Sequence, residues 1–240
     1  MELRGVTALV TGAAHRVGKA IALGLAASGS NVVLHFHRSG EAAEATAAEV
    51  RAHGVKTALV SGDLGGDPAA VLGAVGDLAP VRVLVNSAAV FGNDRLTEVS
   101  RTEWETTLAI DLAAPVFLTQ AFARALPDGL DGVVINVTDW RTERPYREHF
   151  SYTVAKGGLD TFTRAAAESL APRVRVNAVA LGAILPPPGR DSVYLKELAQ
   201  EIPVQRVGGT EPVVQAVLAL IANDFITGEI LRVNGGAHLR

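Results

Sequence analysis

The chain has 240 residues, a formal net charge of −3, 48% hydrophobic residues and no cysteine. That length suits one domain with a full core, and the apolar share excludes a disordered chain. The slight acidic balance offers no basic field for nucleic acid or an anionic membrane, and the absence of cysteine removes disulfides, thiolate catalysis and cysteine-held metals.

In chain order, short β-branched runs alternate with helical stretches. Strands are predicted at 6–11, 31–36, 55–60, 81–86, 132–138, 174–179 and 229–233, and helices at 17–27, 41–53, 69–78, 101–124, 152–171 and 211–221. The near-continuous Val, Leu and Ile of the strands is what parallel strands covered on both faces require. In the first helix Val17, Ala20, Ile21, Gly24, Leu25 and Ser28 share one face, with small residues suited to close packing on the sheet. The alternation implies a single-domain, Rossmann-type doubly wound α/β fold: a parallel sheet of about seven strands with helices on both faces. No linker or repeat divides it, so residues 1–240 are expected to form one nucleotide-binding domain. The rhythm breaks at 181–209, which holds Pro186–Pro187–Pro188–Gly189 and a helical patch around Tyr194–Gln200. This connection leaves a strand at its carboxyl edge, so it reads as a substrate loop, or else as a surface excursion.

The six histidines, His15, His35, His37, His53, His149 and His238, lack HExxH or comparable ligand spacing, so no metal is expected. No apolar run reaches spanning length, and Met1 leads almost directly into a strand. A cytoplasmic protein without a signal peptide is the resulting expectation.

Thr11–Gly12–Ala13–Ala14–His15–Arg16–Val17–Gly18 joins the first strand to the first helix. Gly12 permits a tight turn, Gly18 lets the helix start lie against the sheet, and free N–H groups there face a pyrophosphate. Glycine also serves ordinary turns; the place of these two after a first strand raises the signal. Arg16 either reaches a phosphate bidentately or is a solvated loop residue. The second strand ends His37–Arg38–Ser39, with no carboxylate before Glu41. An acid there would bind a ribose 2′-hydroxyl, whereas Arg38 and Ser39 suit a 2′-phosphate, so NADPH is the expected cofactor. Asp63–Leu64, after the third strand, is placed to hold the adenine edge, or Asp63 caps a turn.

Tyr152 and Lys156 stand one helical turn apart on the same face. A lysine cation near a tyrosine lowers the phenol pKa, so Tyr152 is expected to be a usable acid near neutral pH. This spacing is common by chance, but here it follows the fifth strand, downstream of the Gly12 turn. With Thr11–Gly12, Gly18, Asp63, Asn86–Ser87–Ala88–Ala89, Tyr152, Lys156, Arg175–Val176–Asn177 and Gly235–Gly236, the chain resembles the short-chain dehydrogenase/reductase family along its whole length. The resemblance implies that Tyr152 donates a proton and that Lys156 holds the nicotinamide ribose and tunes the tyrosine. It adds Val17, Asn86, Ala88 and Gly182, with Tyr152 and Lys156, to the cofactor-binding residues named above. It also implies a homotetramer through the helices at 101–124 and 152–171, whose Ala, Leu, Phe and Val suit an apolar interface.

Three departures carry further information. Asp139 stands thirteen residues before Tyr152, where the family usually has serine; Arg16 replaces a glycine; and the second strand ends in the basic triplet His37–Arg38–Ser39. A carboxylate is a poor partner for a carbonyl oxygen gaining negative charge. It is a good one for substrate N–H donors, or for relaying a proton through Tyr152. Together these features resemble the pteridine reductase branch, including bacterial dihydromonapterin reductases. Phe91 is similar to a phenylalanine that stacks on the pterin there; the alternative is a loop hydrophobe packing inward. Arg16, Phe91, Asp139 and Tyr152 are thus the implied substrate-binding residues, and Asp139, Tyr152 and Lys156 the catalytic ones. The carboxyl end, Gly235–Gly236–Ala237–His238–Leu239–Arg240, resembles that of the bacterial reductases, where it lies near the site rim or a subunit contact. Asp111 takes the place of the family's usual Asn, which implies that Asp139, Tyr152 and Lys156 act without a four-residue relay. Asn86–Ser87 replaces a more usual Asn-Asn, and Leu181–Gly182 replaces Pro-Gly.

The leading expectation is NADPH-dependent reduction of a dihydropterin, such as dihydromonapterin or dihydrobiopterin, to its tetrahydro form, with dihydrofolate as a further substrate. One rival is a carbonyl reductase of the 3-oxoacyl or sugar/polyol type, in which Asp139 is a drifted serine and Phe91 filler. The other is a non-catalytic NADP(H) sensor, against which intact Tyr152 and Lys156 argue. No nucleic-acid or membrane partner is expected.

Overall fold

The computed structural model describes residues 1–186 and 192–239, with the backbone alone at 192–196. Pro187, Pro188 and Gly189 of the expected loop, and Arg240 at the carboxyl end, lie outside the described residues. Seven strands are present: β1 Thr7–Val10, β2 Asn31–Phe36, β3 Thr57–Ser61, β4 Val81–Asn86, β5 Gly132–Asp139, β6 Val174–Leu181 and β7 Ile230–Val233. They form one parallel sheet in the order β3-β2-β1-β4-β5-β6-β7. The helices are α1 Arg16–Ala27, α2 Gly40–Ala52, the short α3 Ala70–Gly73, α4 Arg101–Leu108, α5 Ala114–Ala125, α6 Phe150–Leu170, α7 Ser192–Glu201 and α8 Glu211–Ala222. The doubly wound expectation is met, and the helical patch near Tyr194 is α7.

Residues alternate between two cores, as period-two strands must. Ala8 and Val10 of β1 pack with Ile21 and Leu25 of α1 and Val217 of α8, whereas Leu9 packs with Leu118 and Phe122 of α5. Strand order reverses between β1 and β4, which opens a crevice above their carboxyl ends. Buried Thr11 holds it together: its hydroxyl accepts from the N–H groups of Ser87 and Ala88 at 2.9 and 3.0 Å.

Four local differences from the sequence reading have physical causes. The helix predicted at 69–78 is only the four residues of α3 and a separate 3₁₀ turn, Gly76–Leu78, because Gly73 and Gly76 (φ +63°) interrupt it. Gly24 does not serve the sheet: a Cβ there would meet Val214 Cγ1 at 2.3 Å, so its smallness lets α8 lie against α1. The helix predicted at 101–124 is split by a π turn, Ala109–Ala113, in which the Ala114 N–H bonds Ala109 five residues back. Pro115 has no N–H for the Asp111 carbonyl four residues before it, and a one-residue bulge changes that register. Finally, Arg101–Ala125 as a whole is 25 residues with an 18-residue window of mean hydropathy 1.3, which corrects the expectation that no segment reaches spanning length and composition. Its Leu118 and Phe122 are nevertheless buried against the sheet, as in a core helix.

Candidate active site

A cleft of about 690 Å³ runs across the carboxyl ends of the strands, from the β1–α1 turn to the start of α6, and is closed on one side by residues 181–185 and by α7. At its first end the chain is tightly folded. Gly12 has φ +64°, and a Cβ there would sit 2.9 Å from Ala88 Cα. A Cβ on Gly18 would sit 2.3 Å from the Gly12 carbonyl oxygen. Both positions therefore exclude any side chain. Helix α1 begins after His15 with no side-chain cap and no acid in its first turn, so its leading N–H groups are left for an external acceptor.

Beneath the turn, buried His35 accepts from the Gly12 N–H at Nδ1 (3.4 Å) and donates from Nε2 to the Gly62 carbonyl (3.1 Å). Burial holds its pKa below the usual histidine value, which suits this neutral tautomer. Arg16 is exposed with φ +55°, and its Nη2 donates to the Pro186 carbonyl at 2.8 Å. It therefore ties the glycine turn to the start of the 181–209 connection while its side chain lines the cleft.

The remaining cofactor candidates divide. Val17, His37, Asp63, Leu64, Ala88 and Gly182 line the cleft. Asp63 also caps its own turn, accepting from the Gly65 N–H at 2.9 Å. Gly182 is crowded, since a Cβ would meet Asn234 Cα at 2.6 Å. Arg38 is exposed and Ser39 half-buried beyond the lining residues. Asn86 is not among the lining residues: its side chain is buried under the cleft, where Nδ2 donates to Asn136 Oδ1 at 2.8 Å. Asn136 in turn donates to Thr163 Oγ1 at 2.9 Å, so the chain of amides braces β4, β5 and α6.

At the second end, β5 delivers Asp139 and α6 delivers Tyr152 and Lys156. The Tyr152 hydroxyl donates to Asp139 Oδ2 at 3.3 Å, and Asp139 Oδ1 accepts from the Arg141 N–H at 2.8 Å. Lys156, 2% exposed, donates to the Val137 carbonyl at 3.0 Å. Burial raises the Asp139 pKa above the ordinary carboxylate value. The expectation that Lys156 makes Tyr152 more acidic is not met. Burial first, then the negative charges of Asp139 and Asp111, push the phenol well above its ordinary value. Tyr152 thus keeps its proton firmly as a hydrogen-bond donor.

Asp111, in the place of the family's usual Asn, stands next to this group of residues. It is fully buried in the π turn, with Oδ1 accepting from the Val90 N–H at 2.8 Å and Oδ2 3.9 Å from Lys156 Nζ. Burial raises its pKa to about 6 against the opposing pull of Lys156. A π turn inside an α-helix is a frequent companion of functional groups, but only the bonding register reveals it.

Phe91 does not pack inward. It is 44% exposed, stacks on His149 at 3.9 Å and presents an edge contact to Tyr152 at 4.8 Å. His149, with φ +57° just before α6, is fixed by donating from Nδ1 to the Gly92 carbonyl at 2.6 Å. Sequence reading also missed a second cluster on this wall: the Arg141 guanidinium lies 4.5 Å from the Trp140 ring centre and 4.2 Å from that of Tyr146. The run Trp140–Arg147, with two aromatics among three arginines, was its only signal.

A family model described as enoyl-(acyl carrier protein) reductase matches residues 12–238. L-xylulose reductase of Bos taurus is 34% identical over 244 residues, covering 98% of each chain. The 3-oxoacyl-[acyl-carrier-protein] reductase FabG of Aquifex aeolicus is 33% identical over 249 residues, again covering 98% of each. Among solved structures, FolM alternative dihydrofolate reductase 1 from Brucella canis, complexed with NADP, is similar with TM-score 0.96 and 34% identity, over 100% of this chain and 96% of that one. The corresponding protein from Brucella suis, also with NADP, gives TM-score 0.94 and 35% identity over 98% and 96%.

Proposed function

This chain belongs to the short-chain dehydrogenase/reductase family of oxidoreductases, and we propose that it uses NADPH to reduce the C=N bond of a dihydropterin, dihydrofolate included. The single observation that carries the substrate class is the Asp139 carboxyl facing the Tyr152 hydroxyl at 3.3 Å. Reduction of a carbonyl is helped by a hydroxyl that donates to the oxygen. A carboxylate at that place can only accept, which suits the N–H groups of a pterin. Phe91, exposed at the mouth and edge-on to Tyr152, offers a face for a flat heterocycle. The likeness to the FolM dihydrofolate reductases adds weight to this substrate.

The residues present fit the cofactor. The side-chain-free turn at Gly12 and Gly18 and the uncapped start of α1 suit a pyrophosphate. His37 and Arg38, with no acid before Glu41 in the first turn of α2, suit a 2′-phosphate. Lys156 would hold the nicotinamide ribose. When bound, the reduced cofactor supplies a hydride. A C=N bond also needs a proton at nitrogen, and Tyr152 is the donor, its hydroxyl kept protonated by burial and by the two carboxyl groups around it. Asp139 aims that hydroxyl by accepting its hydrogen bond, and is itself fixed by the Arg141 N–H. Lys156 is fixed on the Val137 carbonyl and beside Asp111, with its Nζ 5.5 Å from the Tyr152 ring centre.

A second reading, a carbonyl reductase, is favoured by the names of the xylulose and 3-oxoacyl reductase relatives. The two separate on turnover: NADPH oxidation with 7,8-dihydrobiopterin should far exceed that with ketones. Ketone turnover without pterin turnover rejects the pterin reading.

A further inference from the structure

We infer that the wall formed by Trp140, Arg141 and Tyr146 is a subsite for a carboxylate on the side chain of the substrate; this rests on the pterin reading above and deepens it. The turn between β5 and α6 carries three arginines and two glutamates at 141–148. Both glutamates are engaged by arginines from elsewhere: Glu143 by Arg232 and Glu148 by Arg95, each at 2.7 Å. Among the described residues, Arg141, Arg144 and Arg147 make no ion pair. The turn is thus left with an excess of positive charge at the mouth of the cleft.

Arg141 is the member placed to use it. It lines the cleft, and its backbone N–H is bonded to Asp139, so its position is tied to the catalytic carboxyl. Its guanidinium is held by the faces of Trp140 and Tyr146. Ring faces restrain the cation without consuming its N–H donors, and its guanidinium makes no hydrogen bond to a described residue. A pre-positioned planar guanidinium with free donors at its edge matches a carboxylate bidentately. A pterin ring lying by Phe91 and Tyr152 would direct its side chain outward past this wall. Arg144 and Arg147, both exposed, add a longer-range attraction.

The test compares two substrates at saturating NADPH: dihydrofolate, whose side chain ends in carboxylates, and 7,8-dihydrobiopterin, whose side chain is uncharged. Arg141→Gln should raise the KM for dihydrofolate by about tenfold more than that for dihydrobiopterin, the loss expected of a charge-assisted pair. Arg141→Lys should recover part of that difference. In the unaltered protein, which needs no variant to fold, added salt should raise the dihydrofolate KM and leave the dihydrobiopterin KM nearly constant. Equal changes in both KM values, with both pterins still turned over, would overturn the carboxylate subsite alone. Failure of the unaltered protein to turn over either pterin would overturn both this inference and the reading beneath it.

Discussion

The Gly12 end of the cleft presents backbone N–H groups and exposed cations, whereas the Tyr152 end presents buried carboxyls and a buried lysine. Around Gly12 and Gly18 geometry does the selecting, since no Cβ fits at either position. The charges there, Arg16 and Arg38, stand in solvent. Around Asp139, Tyr152 and Asp111, burial raises the pKa of each group, and the Asp111 pKa of about 6 shows how far it reaches. The first end should therefore respond to charge reversal and salt, the second to single-atom changes and pH.

The largest expected effect belongs to the buried end. Tyr152→Phe removes one oxygen and should lower kcat by roughly 10²- to 10⁴-fold, the usual worth of a positioned proton donor. NADPH affinity, read by fluorescence titration, should change little. Loss of binding with the rate would make Tyr152 a structural residue and erase the contrast between the two ends.

Next in size is the exposed end. Arg38→Asp should weaken NADPH binding by about tenfold or more, as a pairing cation becomes a repelling anion, and should affect NADH far less. Equal losses for the two cofactors would remove the 2′-phosphate role of Arg38, and added salt should narrow the gap between them.

The smallest effect concerns stability. The folded pKa of Asp111, about 6, lies above the 3.8 of an unperturbed aspartate. The folded protein therefore binds that proton more tightly than the unfolded chain does. The favourable contribution is present below the unfolded value and is lost as pH rises through 6. Asp111→Asn keeps the shape without the charge. Its Tm relative to the unaltered protein should rise by a few degrees between pH 4 and 8, the order expected for a shift of about two units in a domain of this size. A flat difference over that range would mean that the Asp111 charge is fully compensated by Lys156.

How much of this was legible in the sequence follows the same division. The strands were legible because burial on both faces leaves runs such as Val81–Asn86, and the β1–α1 turn because its glycines sit where no Cβ fits. The place of Asp139 followed from the family resemblance, in which a serine usually stands thirteen residues before the tyrosine. The π turn did not, because it is a change of hydrogen-bond register beside Pro115 and leaves the apolar pattern intact. The pairing of Asp111 with Lys156 was hidden with it. The burial of the Asn86 side chain against Asn136 was not legible, because a motif gives a position but not a side-chain direction. Tyr152 was misread because a neighbouring lysine is visible in sequence, while burial and two approaching carboxyls are not. The Trp140–Arg141–Tyr146 cluster lies in a turn, where no periodicity marks it.

The central claim is that a carboxyl facing Tyr152 selects a pterin over a carbonyl. It is tested most directly by kcat/KM with NADPH for 7,8-dihydrobiopterin against a 3-oxoacyl substrate and a small sugar ketone, in the unaltered protein and in Asp139→Ser. The account predicts a strong preference for the pterin that falls in the serine variant as ketone turnover rises. A preference for ketones in the unaltered protein, or a pterin preference indifferent to Asp139→Ser, would contradict it.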